Sequence, residues 1–362
     1  MKLMGGNVFV DYRKITCDSD EFNDAVITIK NNVLSKNNMP KLIVGTGLSA
    51  SYGIPGMWKL SEELKSKLGV HKDDDIKNAW IRREKDINDN GLEEGLKTLS
   101  SDEQKLIDEI RKVAADFILR EEWSRLLDIY QKSSGFEKLL TYLKDTVSVN
   151  HGLIDIMTPN YDRVIETLCD KCGIQVITGF SGEIFQRFEP LRLKTPSDYY
   201  GGRNCCIRLF KPHGSINWIS NGDGELLIND FDYLSKHSDD IEIIAPGGPK
   251  YEAGMTNNTF RIMREDFNEL ISEMNKPYSL LIYGYGFNDT HFNTVLYQNT
   301  KKNVLILSKD IKEEVLEKAK NNHMVTAFFQ KDFTNFMIYK GEQIEIDKSL
   351  WNMDVFADVF FG

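Results

Sequence analysis

Three short segments of this chain carry groups that could do chemistry together. They are residues 42–55, 158–162 and 211–215. The second segment contains Asn160, whose carboxamide donates and accepts hydrogen bonds at once and so suits the positioning of a substrate. The third contains His213, whose imidazole ordinarily titrates near neutral pH and can therefore act as a general base.

The first segment predicts a loop that binds phosphate. An apolar, β-branched run ends at Gly45, Gly47 follows closely, and a helix-compatible stretch comes next. A turn of this kind lets the backbone approach a pyrophosphate and offers N–H groups to its oxygens. No Gly-Lys-Ser/Thr follows the glycines, so the segment is not a mononucleotide P-loop. Because such turns also serve chain reversal alone, the assignment needs support from the other segments.

That support comes from a resemblance to the sirtuin (SIR2-like) family of NAD-consuming enzymes. Sirtuins carry, in this order, a Gly-Ala-Gly-x-Ser loop running into Gly-Ile-Pro, a Thr-Gln-Asn-Ile-Asp motif and a His-Gly pair. Here Thr46 replaces the alanine, Pro159 and Tyr161 replace the glutamine and isoleucine, and His213-Gly214 is intact. A fourth segment, residues 281–289, falls where sirtuins have a strand ending in Gly-Thr/Ser-Ser. The resemblance covers roughly residues 41–333, with a long insertion between the first and second motifs.

The resemblance implies a site that binds NAD as a substrate. Breaking the nicotinamide–ribose bond needs little acid catalysis because the leaving pyridine is cationic, so the site must orient the dinucleotide and present a nucleophile. Asn160 would do the first, and His213 would act as the base on a ribose hydroxyl or on water. The other residues implied to contact NAD are Gly45, Thr46, Gly47, Ser49, Ile54, Pro55, Asp162, Gly284, Gly286 and Ser308. Without the resemblance, we would interpret Asn160 and Asp162 as part of a helix cap and His213 as a structural residue.

Composition narrows the possible partners and compartments. Against 55 Asp and Glu, the chain has 45 Lys and Arg, for a formal charge of -10. This balance argues against a nucleic-acid-binding surface, and we expect no direct sequence-specific binding to nucleic acid. The sequence has no run of 18 apolar residues and no apolar signal core at the start. We therefore expect a cytoplasmic protein without a membrane span.

The cysteines do not predict a metal site. Cys169 and Cys172 have the spacing of a zinc knuckle, but their only possible partners are the adjacent Cys205 and Cys206. Adjacent cysteines rarely chelate one tetrahedral metal ion. Most deacylating sirtuins use two spaced pairs, so this chain departs from them, and we expect neither zinc nor another metal.

The spacing of apolar residues predicts an α/β protein with a doubly wound, mostly parallel, Rossmann-like sheet. The predicted strands are 153–157, 174–177, 207–210, 241–245, 279–283 and 304–307, and the predicted helices are 161–172, 259–274, 289–298 and 312–321. Short apolar strands that alternate with helices favour this architecture, in which ligands bind beyond the carboxyl ends of the strands. Gly45, Thr158, Pro212 and Gly284 all follow predicted strands, so the motifs are expected to converge on one cleft.

The chain divides into three predicted parts. Residues 1–40 form an N-terminal segment, and residues 41–340 form the NAD-binding catalytic domain, with a helical lobe inserted at about 60–150. The lobe is explained by simple packing or, alternatively, as a lid or an oligomer contact. Residues 341–362 form an apolar, aromatic tail that docks on its own domain or on another subunit; we interpret it as a possible oligomer contact.

The resemblance favours one function over two others. Deacylating sirtuins follow Gly-Ile-Pro with Asp-Phe-Arg, whereas this chain has Gly56-Met57-Trp58. The chain is more similar to the divergent bacterial SIR2-like domains of anti-phage systems, which hydrolyse NAD to ADP-ribose and nicotinamide; residues 286–291 resemble that branch. We therefore expect an NAD hydrolase that acts as an abortive-infection effector. The alternatives are an NAD-dependent protein lysine deacylase and a non-catalytic nucleotide-binding regulatory module.

The same resemblance predicts partners. Members of that branch are controlled by a fused or separate sensor. We expect a homo-oligomer that works with a HerA-type DNA-translocating ATPase or with another defence-system sensor. The alternative is that the chain is the catalytic piece of a longer protein.

Overall fold

Parallel strands form the centre of the fold. The computed structural model describes residues 12–146, 152–196, 205–222, 224–247, 254–273, 278–288, 293 and 301–362. Its strands are β1 (Arg13–Ile15), β2 (Pro40–Val44), β3 (Leu153–Met157), β4 (Gln175–Ile177), β5 (Phe180–Ser181), β6 (Gln186–Phe188), β7 (Cys206–Phe210), β8 (Gly214–Ser220), β9 (Glu225–Leu227), β10 (Ile241–Ile243), β11 (Ser279–Tyr283), β12 (Val304–Leu307), β13 (Val325–Lys331), β14 (Thr334–Tyr339) and β15 (Glu342–Ile346).

Helices cover both faces of this centre and form a lobe beside it. They are α1 (Asp20–Val33), α2 (Thr46–Ser51), α3 (Met57–Leu68), α4 (Asp74–Asn90), α5 (Leu92–Gly95), α6 (Gln104–Trp123), α7 (Leu126–Gln131), α8 (Gly135–Thr146), α9 (Val164–Lys171), α10 (Leu191–Lys194), α11 (Phe231–Lys236), α12 (Asn258–Ser272), α13 (Glu313–Lys320) and α14 (Met353–Phe361). Among the described helices, none is long and apolar enough to cross a membrane.

The larger sheet has the order β1-β15-β14-β13-β12-β11-β2-β3-β7-β4. The strands from β13 to β4 run parallel, whereas β14 pairs antiparallel with both β13 and β15. From β2 the chain continues to β3 and to the edge strand β4, places β7 between these two, and returns to β11 on the other side of β2. The order therefore reverses between β2 and β11, which is where a doubly wound sheet opens a ligand crevice. This topology confirms the predicted fold class.

The strands at the switch point are mostly apolar and are buried on both faces. All five residues of β2, of β7 and of β11 are buried. Such continuous burial requires helices on both sides of a parallel sheet. The predicted strands 153–157, 279–283 and 304–307 are confirmed. The predicted helix at 161–172 begins only at Val164, because the residues before it form the loop that carries Asn160. The helix predicted at 289–298 lies outside the described residues, apart from Asn293.

A second, antiparallel sheet was not expected from the sequence. It has the order β10-β8-β9-β6-β5, so the strand predicted at 241–245 belongs here and not to the parallel sheet. The cause is local: Gly214 has φ +84°, which turns the chain sharply as it leaves the loop after β7. β8 then pairs with its neighbours as a hairpin layer beside the helical lobe.

Helices α3 to α6 of the predicted lobe share one apolar core with the antiparallel sheet. In this core Leu64, Trp80 and Ile110 are fully buried. Helix α8 lies within the predicted limits of 60–150, yet its side chains Phe136 and Leu140 pack in the core of the parallel sheet. The lobe therefore ends with α6, and the chain has already rejoined the main domain at α8.

The aromatic tail docks on the chain's own domain. Phe356 and Phe360 are buried beside α8, and their rings stack with centroids 4.0 Å apart. Lys138 on α8 forms an ion pair with Asp358 at 2.6 Å. The adjoining strand β15 pairs with β1, so both ends of the described chain extend the central sheet. Of the two docking modes that the sequence allowed, the structure shows the intramolecular one.

We expect Phe356→Ala to lower the free energy of unfolding by about 3–5 kcal/mol, because it leaves a cavity in a closely packed core. Chemical denaturation at several protein concentrations measures this loss. Phe333→Ala serves as the control, because Phe333 is 95% exposed. A loss for Phe356→Ala that varied with protein concentration would instead place this side chain at a contact between subunits.

Candidate functional site

A cleft opens beyond the carboxyl ends of β2, β3 and β11, at the switch point of the sheet. Its cavity volume is about 150 Å³. Its lining residues are Gly45, Thr46, Ser49, Ile54, Pro55, Gly56, Met57, Leu60, Glu93, Ile118, Pro159, Asn160, Tyr161, Asp162, His213, Tyr285, Gly286 and Asn288. Residues from all of the sequence motifs therefore meet in one place.

The glycine loop is closely packed against the loop that follows β11. A Cβ on Gly47 would stand 2.6 Å from the Cα of Gly284, and a Cβ on Gly45 would stand 2.6 Å from the Cα of Tyr285. The N–H of Gly45 donates to the carbonyl of Tyr283 at 2.8 Å, and that of Gly47 donates to the carbonyl of Gly284 at 3.0 Å. Glycine is required here because the two backbones approach closely.

Asn160 is held by a ladder of hydrogen bonds between the ends of β2 and β3. The hydroxyl of Thr158 donates to the carbonyl of Val44 at 2.7 Å and accepts from the backbone N–H of Asn160 at 3.1 Å. The side-chain Nδ2 of Asn160 donates to the carbonyl of Gly45 and to Oγ of Ser49, each at 2.9 Å. Both amide hydrogens are thus engaged, and this fixes the orientation of the carboxamide.

The other end of that carboxamide lacks a partner. Oδ1 of Asn160 is buried, and no group in the described parts of the chain donates to it. A buried acceptor without a donor costs about 1–3 kcal/mol. Native proteins keep few such atoms, so this oxygen is suited to accept a hydrogen bond from a ligand in the cleft.

Asp162 continues the network through Ser49. The hydroxyl of Ser49 donates to Oδ2 of Asp162 at 2.6 Å, and Oδ1 accepts from the backbone N–H of Val164 at 3.2 Å. Burial raises the pKa of Asp162 to about 6, although the Ser49 hydrogen bond and the nearby Lys211 oppose the rise. The carboxyl can therefore change its charge near neutral pH while it remains part of the cleft wall.

The segment around His213 is tied to the Asn160 loop by its flanking residues. Nζ of Lys211 donates to the carbonyl of Asp162 at 2.6 Å and to Oγ of Ser215 at 2.8 Å, and it pairs with Glu166 at 3.0 Å. Lys211 and Ser215 bracket His213, which is buried and lines the cleft. The sequence motif contains both flanking residues but indicates no role for either; in the structure they fix the position of His213.

The helical lobe supplies the opposite wall. Met57, Leu60, Glu93 and Ile118 come from helices of the lobe and face the cleft, and none of them was predicted as a site residue. Met57 did carry a sequence signal, because residues 56–58 replace the Asp-Phe-Arg of deacylating sirtuins.

A buried ion pair fastens the lobe to the site. Glu122, at the end of α6, is fully buried and pairs with Arg163 at 2.6 Å. Its carboxylate also accepts from the backbone N–H of Arg163, the residue that follows Asp162. Since a buried carboxylate is stable only when it is paired, the position of α6 and that of the Asn160 loop are coupled.

The predicted contact residues fall into three groups. Asn160, His213, Gly45, Thr46, Ser49, Ile54, Pro55, Asp162 and Gly286 line the cleft. Gly47 and Gly284 lie directly behind it and hold the two loops together. Ser308 lies at the end of β12, where its hydroxyl donates to the carbonyl of Asp310 at 3.1 Å, and it does not line the cleft.

The cysteines stand apart from this site. All five are free, and Cys169, Cys205 and Cys206 are buried. Burial raises the pKa of Cys169 well above its ordinary value, which favours a neutral thiol over the thiolate that a metal requires. Within the described ranges, no group of three or more His, Cys, Asp or Glu side chains is placed to hold a metal ion.

With this geometry established, the chain can be compared with known proteins. Residues 155–328 match the family model of the SIR2-like domain, a range that contains Asn160, His213 and Gly284. No curated protein matches the chain. The family match supports a SIR2-like family and, with it, NAD-related chemistry in general. The glycine loop lies outside the matched range, yet the structure brings it to the same cleft.

Because the pKa of Asp162 is raised, we predict that Asp162→Asn stabilises the folded protein in a pH-dependent way. Between its ordinary pKa of 3.8 and the folded value of about 6, the folded state binds the proton more tightly than the unfolded state. As the pH rises through this window, the folded state loses this advantage. The free energy of unfolding therefore falls by about 3 kcal/mol at most. The amide avoids that loss. We expect the stability of the variant relative to the unsubstituted protein to rise between pH 4 and pH 7, as measured by urea denaturation.

Asp86→Asn is the control for this pH series, because Asp86 is exposed on α4. Its stability relative to the unsubstituted protein should change little over the same range. A difference for Asp162→Asn that was equally flat would show that the carboxyl does not titrate in this window.

Proposed function

We propose that the protein hydrolyses NAD to ADP-ribose and nicotinamide in this cleft. The observation that carries the proposal is the carboxamide of Asn160, whose Nδ2 is fixed by two acceptors while Oδ1 is buried and has no donor among the described residues. A ribose hydroxyl or the nicotinamide amide of NAD offers such a donor. The SIR2-like match over residues 155–328 supports an NAD-utilising enzyme.

The proposed reaction assigns different work to the two central side chains. The bond between C1′ of the ribose and the nicotinamide nitrogen breaks, its electron pair stays on the nitrogen, and an oxocarbenium-like centre develops at C1′. Asn160 orients the nicotinamide ribose during this step. Water then adds to C1′, and His213 accepts its proton, directly or through a ribose hydroxyl. Asp162 and Ser49 keep the carboxamide aligned.

Hydrolysis is favoured over deacylation by the loop that follows Pro55. Deacylating sirtuins carry Asp-Phe-Arg after Gly-Ile-Pro, whereas Gly56, Met57 and Trp58 stand here. Met57 lines the cleft and Trp58 is 63% exposed, so an apolar side chain occupies the wall at this point. Because both reactions release nicotinamide, the preference for hydrolysis rests on the absence of the charged Asp and Arg at this point.

The biological role proposed for this activity is NAD depletion as an abortive-infection response to phage. Its support is the resemblance to the bacterial SIR2-like branch. We propose that the active form is a homo-oligomer that works with a HerA-type DNA-translocating ATPase or another sensor. Size-exclusion chromatography with light scattering, alone and with such an ATPase, would test the assembly.

We expect Asn160→Ala and His213→Ala each to lower the turnover of NAD at least 100-fold, since positioning and base catalysis act mainly in the transition state. Binding of NAD should change only a few-fold. The measurement is the release of ADP-ribose and nicotinamide, separated by chromatography, with calorimetry for binding. Matched controls are Asn90→Ala, an exposed residue at the end of α4, and His237→Ala, which follows α11 outside the cleft.

The same assay separates the alternatives when an acetyl-lysine peptide is added. Products that form only with the peptide, including O-acetyl-ADP-ribose, would identify a deacylase. Binding of NAD without turnover, both alone and with the candidate ATPase, would favour a nucleotide-binding module. Full turnover in both variants would show that Asn160 and His213 are not the catalytic pair.

A further inference from the structure

The charge of the cleft does not complement the charge of its proposed ligand, because both are negative. Its described lining residues include the carboxyl groups of Glu93 and Asp162 but no lysine or arginine. NAD carries two negative charges on its diphosphate. A cation is therefore needed close to the cleft if a dinucleotide is to bind there with useful affinity.

The glycine loop supplies less compensation than its sequence suggests. The N–H groups of Gly45 and Gly47 already donate to the carbonyls of Tyr283 and Gly284. The helix that follows, α2, is only six residues long, so its dipole adds little. Backbone amides of this loop cannot by themselves neutralise a diphosphate.

A buried guanidinium stands next to the cleft. Arg264, on α12, is only 9% exposed, and its Nη1 is buried without a hydrogen-bond partner in the described residues. It lines a small cavity together with Met157, Pro159, Pro212, His213, Phe267 and Tyr285. Three of these residues, Pro159, His213 and Tyr285, also line the main cleft, so the two spaces share a wall.

The other buried arginines show what Arg264 lacks. Arg163 pairs with Glu122 at 2.6 Å, and Arg208 pairs with Asp155 at 2.7 Å. Each of them is buried to a similar degree, yet each has a carboxylate partner. A buried charge normally requires such a partner, so an anion from outside the chain is the missing counterpart of Arg264.

Space for the guanidinium is built into the neighbouring backbone. A Cβ on Gly254 would stand 2.7 Å from Nη2 of Arg264. A side chain at that position would require the end of the Arg264 side chain to shift. The glycine thus leaves room for the guanidinium at this point.

We propose that Arg264 binds the diphosphate of the dinucleotide beside His213, an inference that rests on the proposed NAD chemistry of the same site. A guanidinium presents two parallel N–H donors that match phosphate oxygens and remains charged at any working pH. Arg264 would anchor the phosphate side of the substrate while Asn160 holds the nicotinamide ribose. Its role is substrate binding, so its loss should raise KM more than it lowers kcat.

Calorimetry with three probes tests this assignment: ADP-ribose, inorganic diphosphate, and nicotinamide riboside, which has no phosphate. Arg264→Gln should weaken ADP-ribose binding at least tenfold, remove diphosphate binding, and leave nicotinamide riboside unchanged. Arg264→Lys should fall between, because it keeps the charge but not the two parallel donors. The control is Arg261→Gln, which removes the same charge from an exposed ion pair with Glu265 on the same helix.

A thermal-stability measurement separates ligand binding from a structural role. Without ligand, Arg264→Met should be at least as stable as the unsubstituted protein, because it replaces an unpaired buried charge with an apolar group. A clear fall in the melting temperature would show that Arg264 has a structural partner and would overturn the proposal.

The remaining outcomes distinguish this inference from the proposed function. If the protein hydrolyses NAD and Arg264→Gln leaves KM and ADP-ribose affinity unchanged, the diphosphate site is wrong and the hydrolase stands. If ADP-ribose binding depends on Arg264 but NAD is never cleaved, the site stands and the hydrolase fails. An unsubstituted protein that binds neither ADP-ribose nor diphosphate overturns the site.

Discussion

The architecture of the cleft depends on one buried hydrogen-bond chain between the ends of two neighbouring strands. It runs from the carbonyl of Gly45 through Nδ2 of Asn160 and Oγ of Ser49 to the carboxyl of Asp162. Each polar group in it is removed from water, so the loss of one member would leave another without a partner. The chain joins β2 to the loop after β3 and fixes the Asn160 side chain that faces the ligand space. Because the connected groups stabilise each other, the site is preorganised before anything binds.

A second constraint is the way in which the lobe meets this network. Glu122 and Arg163 form a buried ion pair, and Arg163 directly follows Asp162. The lobe therefore contributes both a wall of the cleft and an anchor for its central loop. A movement of α6 would displace the backbone next to Asp162. A partner bound to the lobe could alter the site by this physical route.

The sequence was sufficient to predict the elements whose structure is decided by the local pattern of residues. Strands β3, β11 and β12 were predicted with the right limits because their residues are apolar on both faces and are bounded by loop-forming residues. Asn160, His213 and the glycine loop were identified because their motifs are short and ordered along the chain. The antiparallel sheet was missed because pairing of β8 with β10 depends on the turn at Gly214 and not on the alternation of strands with helices. Arg264 was missed because nothing near it in sequence shows that its guanidinium is unpaired.

Two unsatisfied groups on the border of the cleft together specify the kind of molecule it can complete. Oδ1 of Asn160 needs a hydrogen-bond donor, and Nη1 of Arg264 needs an acceptor that carries negative charge. His213 shares a space with each of them, so both requirements apply to one ligand or to adjacent parts of it. An uncharged acyl-lysine chain offers no anion, and free phosphate offers no sugar hydroxyl for the catalytic end. A ribosyl diphosphate offers both, because its hydroxyls donate and its phosphates accept. The two polar groups that the fold leaves unsatisfied are thus consistent with the NAD chemistry proposed for this cleft.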